Sequence, residues 1–339
     1  MSAVQTREHP ALRRDRLAAL GPLGKPVNLI LVGAAVFLLI GCLSSQIFAQ
    51  QTVVGLAQGA VYGSLALALV LIYRATEVVN FAQGEMAMFT TYVAYQLTTS
   101  WHVTYWLAFA LTLLIAFVFG MGVQLVFIRP VQHTSVIAVV IVTVGLFILI
   151  DGVVGWVWGA DIKFMPAPFG NTVYHVGGVA IARQDIGTIL VTIASVGLLW
   201  LLFQRTKLGL GMRAAALRPA SARLVGVRVD RMLALGWGLA AVLGAVAGLM
   251  AEASEYSLQP SFMQPILLYA FAAAVLGGLE SPVGALVGGV MIGIFLNLLG
   301  QYVSFVTSEI RLPFAFLVLI VVLLIKPTGL FGKKKVRKV

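Results

Sequence analysis

With 339 residues, 60% of them hydrophobic and only 10% charged, the chain has too little polar surface for a water-soluble fold, where roughly a quarter of residues are charged. Its net charge of +11 lies mostly in short segments between apolar runs, which is a mark of membrane topology and argues against nucleic acid as a partner. The single cysteine, Cys42, excludes an intrachain disulfide.

The expected fold is all-α: a polytopic membrane helix bundle of about ten transmembrane segments with both termini cytoplasmic. Residues 1–26 are polar, too long for the start of a cleavable signal peptide, and read as a cytoplasmic tail feeding an uncleaved first span. The transmembrane region, 27–325, divides into Val27–Leu43, Thr52–Tyr73, Phe81–Thr98, Val103–Phe127, Val136–Trp158, Gly187–Phe203, Leu233–Ala251, Gln264–Gly277, Pro282–Val303 and Leu312–Ile325. Most approach the ~20 residues that cross a hydrocarbon core. The third and eighth are short or polar, which leaves eight or nine full crossings open.

The second segment carries Gly55, Gly59 and Gly63, four apart and so on one helix face. Small residues let helices in lipid approach closely, so this ladder is expected to pack. At the start of the third segment, "VVNFAQGEMAMF" places Asn80, Gln83 and Glu85 within six residues of an otherwise apolar region. An ionisable group inside a membrane is a functional-site hypothesis by default. Asn80 and Gln83 have the spacing of a capping box. With Asn80 as the cap, Glu85 lies roughly 7–8 Å along the helix, near the cytoplasmic mouth of a passage, where the three residues would line or gate it.

Residues 204–231 form the largest predicted cytoplasmic loop, with seven basic side chains. Ser221–Val227 suits a short amphipathic helix: Ala222, Leu224 and Val225 are apolar, Arg223 and Arg228 polar, and Pro219 sits where a first turn begins. The residues alone leave two readings open, an interfacial helix held by lipid headgroups and a docking helix for a cytoplasmic subunit. The seventh segment repeats the small-residue register at Gly236, Ala240, Gly244 and Gly248. The ninth offers two offset small faces, Gly284/Gly288 and Gly289/Gly293. Between the eighth and ninth, Gly277–Gly278 ends one helix and Ser281–Pro282 begins the next. Residues 326–339 close the chain as a basic cytoplasmic tail, an anchor of positive-inside topology that can also touch anionic membrane lipid.

Placing the N-terminus inside puts twenty of the twenty-three Lys and Arg residues on the cytoplasmic side, leaving Lys163, Arg183 and Arg311 outside. The chain has no GxxxxGK[ST] loop for phosphate, no HExxH or GxSxG, and its four histidines are scattered. Transport is favoured over catalysis by elimination.

Several stretches together resemble the branched-chain amino acid ABC transporter permeases, specifically the H-type subunit: "GLAQGAVYGSLALALVLIYRATEVVNFAQGEMAM", "FIRPVQHTSVIAVVIVTVGLFILIDGVV", "LGLGMRAAALRPASARLVGVRVDRMLALGWGLAAVLGAVAGLMAE" and "LGGLESPVGALVGG". "NFAQGE" discriminates most, since it looks like the H-type "NFAHGE", with Gln83 where many members carry His. The resemblance implies a multi-pass protein of the bacterial inner membrane that pairs with an M-type permease subunit. It further implies two cytoplasmic ATP-binding subunits that hold the ATP and Mg, and an extracytoplasmic solute-binding protein. This chain would itself bind no cofactor and catalyse no reaction. The 204–231 loop becomes the coupling segment, with its core at Ala222, Arg223, Leu224, Val225 and Gly226 and polar contacts from Arg218 and Arg223. Pro219 and Ser221 stand where relatives often show acidic or amide residues. Close relatives carry Leu, Ile and Val, others urea, short amides or aromatic acids. The rival from another class is a stand-alone secondary transporter, which would need coupling-ion groups near the midplane of broken helices; Asp151 is the one further acid inside a predicted span.

Overall fold

The computed structural model describes residues 26–332 apart from 133, 171, 218, 256, 305, 308 and 309. Most of the two predicted tails, and Arg218, therefore lie outside the described residues. The chain divides into a first unit up to Ala49 and a second from Gln50 onward. The first contains α1 (Pro26–Ser44), whose Phe37, Leu39, Ile40 and Leu43 are exposed, as suits a helix facing hydrocarbon.

The helices that follow are α2 (Gln46–Thr76), α3 (Gln83–Tyr95), α4 (Tyr105–Val123), α5 (Val136–Trp158) and α6 (Arg183–Arg205). Two short helices, α7 (Lys207–Leu217) and α8 (Pro219–Leu224), lead to α9 (Val229–Glu255), α10 (Met263–Gly277), α11 (Pro282–Tyr302) and α12 (Arg311–Ile325). Wide π turns extend α3 through Gln96–Ser100 and α4 through Gln124–Ile128. A small antiparallel hairpin, β1 (Val173–Val176) and β2 (Val179–Ala182), precedes α6. Among the described residues, six helices are long and apolar enough to cross a membrane: α2, α4 with its extension, α5, α6, α9 and α11. The chain is an integral membrane helix bundle.

Burial separates an inner set from an outer one. The most apolar stretch of α2 is 78% buried and that of α9 67%, against 22% for α5 and α6. The outer helices present Ile137, Ile141, Ile148, Trp156 and Leu198 to their surroundings.

Glycine sets the inner packing. A Cβ on Gly55 would stand 2.6 Å from the Ile294 Cα, one on Gly59 would stand 2.7 Å from the Val290 Cα, and one on Gly63 3.1 Å from the Leu286 carbonyl. Gly289 and Gly293 return the contact from α11 to α2, while Gly284 and Gly288, on the other face of α11, meet Gly277 and Ala273 of α10. Gly244 and Gly248 put α9 against α3, and Gly120 and Gly238 put α4 against α9. Gly236 is less closely packed than the others: the atom near its missing Cβ is the Met212 methyl of α7 at 3.6 Å, because that turn of α9 borders a crevice.

Loops meet in two groups that match opposite ends of the bundle. At one end Asp230 pairs with Arg129 (3.2 Å) and Arg223 (3.7 Å), and Leu330 and Phe331 donate to the Leu276 and Gly277 carbonyls at 2.8 and 3.0 Å. Gly278 permits this approach, since its φ is +103° and a Cβ would lie 2.9 Å from the Gly332 nitrogen. At the other end Lys163 and Leu258 exchange backbone hydrogen bonds of 2.8 and 2.9 Å.

Gly59→Val should cost ~1–3 kcal/mol through overpacking against α11. Gly145→Ala, with nothing within 4 Å of the new methyl, should be neutral or slightly stabilising. Reversible unfolding in mixed micelles compares the two.

Candidate functional site

The candidate site begins where the backbone stops being helical. Helix α2 ends at Thr76, Glu77 takes a φ of +56°, and residues 78–82 run without regular structure before α3 starts at Gln83. The Asn80 Oδ1 accepts from the Ala82 nitrogen at 3.1 Å, and its Nδ2 donates to the Gln83 Oε1 at 3.2 Å. Asn80 thus closes the turn before the helix. It is not the expected cap: Ala82 holds that position with no side-chain bond, and the first helical bond is Met86 N to Ala82 O at 2.9 Å.

Gln83 reaches across to α9, its Nε2 donating to the Ala240 carbonyl at 3.0 Å. That carbonyl is accessible because residue 244 is glycine; a Cβ there would stand 2.7 Å from the Gln83 Nε2. Gly84 turns the other way, where a Cβ would lie 3.0 Å from Leu267 Cβ on α10. Helix α3 is therefore wedged between α9 and α10, and Asn80, Gln83 and Glu85 are 1%, 0% and 0% exposed.

This geometry corrects the expected depth. Ala240 lies eleven residues into α9, roughly 16 Å along a helix of roughly 40 Å, so the cluster sits at mid-depth and not at a mouth. The reason is the irregular stretch after Thr76: the chain enters the bundle unwound and becomes helical only halfway through. Non-helical backbone is tolerated at such depth where protein surrounds it.

Both Glu85 carboxylate oxygens are buried, with no partner in strict hydrogen-bond geometry among the described residues; the Gln264 amide, close enough to act as a donor, and Asp151 are the polar neighbours. Further along α3, Thr90 and Thr91 return their hydroxyls to carbonyls one turn back, a habit of helical threonine. Tyr92 is buried, its hydroxyl without a partner among the described residues, and packs on Trp158 at 5.4 Å, and Gln96 accepts from the Trp158 Nε1 at 3.0 Å. The result is a polar seam up the central helix, closed in this conformation.

One seam-side acid escaped the sequence reading. Glu252 is 1% exposed and accepts from the Met165 nitrogen at 3.2 Å, while its second oxygen has no partner. The predicted seventh span stopped one residue short of it. The signal was available: Glu252 continues the four-residue register of Gly244 and Gly248.

The 204–231 segment stands elsewhere, near the Asp230 end of α9. Leu224 and Val225 are 89% and 78% exposed, whereas Ala222 is buried against Ala215 and Val229. The helix runs Pro219–Leu224, shorter at its end than expected, because Gly226 takes a φ of +81°. Arg223 is half-exposed and paired to Asp230; such a pair contributes about 0–1 kcal/mol and orients α8 more than it holds it.

A buried polar seam on an interior helix, inside a shell of apolar helices, is the arrangement of an integral membrane helix bundle with a polar interior. Residues 51–323 match the family described as branched-chain amino acid transport system / permease component, and the chain belongs to that family. It is 30% identical over 305 residues to the high-affinity branched-chain amino acid transport system permease protein LivH of Salmonella typhimurium, covering 86% of this chain and 98% of that one. The permease protein BraD of Pseudomonas aeruginosa is 30% identical over 304 residues with the same coverage. The probable LivH of Methanocaldococcus jannaschii is 29% identical over 282 residues, 79% of this chain and 87% of that one.

Gly244→Ala and Gln83→Leu both remove the bond from α3 to the Ala240 carbonyl. Each should destabilise by ~1–3 kcal/mol, and the double variant by less than the sum because one interaction is lost in both. A double-mutant cycle of unfolding free energies in mixed micelles measures this.

Proposed function

We propose that the chain is the pore-forming permease subunit of an ATP-binding-cassette importer that moves branched-chain or related amino acids across a bacterial inner membrane. The observation that carries this is the match over residues 51–323 to a permease family whose relatives, such as LivH and BraD, it covers almost end to end. In this reading the bundle makes ten crossings with both termini cytoplasmic. An M-type subunit completes the pore, two cytoplasmic subunits bind and hydrolyse ATP with Mg, and an extracytoplasmic binding protein delivers solute. The chain itself holds no cofactor.

Asn80, Gln83 and Glu85 act as the gate of the passage, at mid-depth. A zwitterionic solute needs hydrogen-bonding groups that the fold does not fully consume, and the Glu85 carboxylate, with only the Gln264 amide as a neighbouring donor, keeps such capacity. The exposed Leu224 and Val225 form the ATPase contact, with Arg223, Gly226 and Arg218 completing the segment and Ala222 anchoring its underside. Closure of the ATP-binding subunits then shifts the population between inward- and outward-facing states through their differing contacts with α8.

Uptake into vesicles, with and without the ATP-binding subunits, tests the reading; uptake that persists without them overturns it. Glu85→Gln should leave the unfolding midpoint nearly unchanged, because the amide keeps the size of the side chain and an oxygen that can accept from the neighbouring Gln264, yet lower uptake by about tenfold, ~1.4 kcal/mol on the barrier. Leu224→Asp should leave stability within about 0.5 kcal/mol, as for an exposed site, while ATP hydrolysis by the assembled complex no longer drives uptake.

A further inference from the structure

An apolar crevice opens between α2, α6, α7, α9 and α11 at the Asp230 end of the bundle, on the side where Gly236 meets only the Met212 methyl of α7. Its walls include Leu67, Leu199, Phe203 and Leu286, and its rim holds Arg74 and Arg213. No aspartate or glutamate lines it. Neither arginine is in an ion pair among the described residues. Arg213 donates one Nη to the Gln204 Oε1 at 3.2 Å, but its buried Nε has no acceptor.

The two ends of the crevice differ in kind. Arg74 lies in the last turn of α2 and Gln204 in the last turn of α6, so the cationic rim is at the level where helices leave the hydrocarbon. Leu67 is seven residues deeper, so the apolar slot descends roughly 10 Å from the rim. Alongside it α6 exposes Leu198, Trp200 and Leu201, a lipid-facing surface with a tryptophan near its end, as membrane-interface belts show.

We propose that this crevice binds an anionic glycerophospholipid, the phosphate on Arg74 and Arg213 and one acyl chain in the slot. An unpaired cationic rim above a dry apolar slot complements a headgroup phosphate joined to a hydrocarbon tail, and basic pockets between helices recognise lipid in this way. Because Met212, Arg213 and Ala216 of α7 line the crevice, the bound lipid braces the segment that carries α8. The inference requires only that the bundle lie in a bilayer, and its test reads lipid retention, so its failure leaves the proposed transport role standing.

Native mass spectrometry of the full chain, purified from equal mixtures of phosphatidylglycerol and phosphatidylcholine, gives the measurement. The wild type should retain one phosphatidylglycerol with a preference of about tenfold or more, as two arginines near a headgroup suggest. Arg74→Gln with Arg213→Gln should abolish the preference, and Arg74→Lys with Arg213→Lys should keep it, which guards against loss of fold. Val283→Trp, at an exposed position on the slot wall, should abolish retention of the lipid, and glycerol phosphate without acyl chains should not displace it. Equal retention of the two lipids by the wild type overturns the proposal, as does an unchanged preference in the glutamine variant or displacement by glycerol phosphate. Cross-linking of Trp200→Cys to another protein chain of the assembled complex would mean that protein covers the crevice, and would also overturn it.

Discussion

In hydrocarbon, apolar side chains gain little by exchanging lipid for one another, so helices that stay together need contacts closer than side chains allow. Here those contacts form one continuous series. Gly55, Gly59 and Gly63 bring α2 onto α11, Gly284 and Gly288 bring α11 onto α10, and Gly84 brings α3 to Leu267 of α10. Gly244 and Gly248 then bring α9 onto α3, and Gly238 with Gly120 joins α9 to α4. Six helices are linked without a gap, and α3 stands inside the series. A side chain at Gly55, Gly59, Gly63, Gly284 or Gly288 would meet the facing backbone directly, whereas one at Gly84 or Gly244 would displace a side chain, Leu267 or Gln83.

Enclosure on both sides is what lets α3 be unusual. It has thirteen α-helical residues and a five-residue π extension, and it follows an unwound stretch inside the bundle. Lipid would not tolerate the free backbone groups of such a stretch; the walls of α9 and α10 replace it. Within those walls the polar side chains divide by role. Asn80 and Gln83 spend their hydrogen bonds on the turn and on Ala240, fixing where α3 begins. Glu85 has no partner in strict hydrogen-bond geometry and only the Gln264 amide as a neighbouring donor, so under the proposed function it keeps capacity for a solute.

The sequence made the bundle readable because small residues at four-residue spacing have few other uses in apolar helices. Both faces of α11 follow from Gly284, Gly288, Gly289 and Gly293. The N-terminus of α11 follows from Ser281–Pro282, where the Ser281 Oγ accepts from the Gly284 nitrogen at 3.0 Å. Depth was not readable. Apolar length reports that a segment is in the membrane, but not where its helix starts, and Val78 and Val79 look alike in helix or coil. That ambiguity moved Glu85 from a mouth to the middle. Helix α7 was missed for a related reason: its Gly209 and Gly211 read as loop, although Gly209 is the contact that lets α7 fold back on the Leu202–Phe203 backbone. Gly236 shows the limit of register, since spacing identifies a face but not what stands opposite.

One helix connects the two groups of candidate residues. Asp230, in the first turn of α9, holds Arg223 of α8 and Arg129 beyond α4, and ten residues on, the same helix presents the Ala240 carbonyl to Gln83. The intervening stretch is regular helix, with the bulky Trp237 fully buried in it, and close-packed interiors transmit displacement instead of absorbing it. Under the proposed function, a force on the exposed end of α8 would reach the seam by translation or rotation of α9. The bond between Gln83 and the Ala240 carbonyl would register it first, because Gly244 leaves no side chain to cushion the movement. The coupling contact on α8 and the gate at the start of α3 are then joined through one helix, α9.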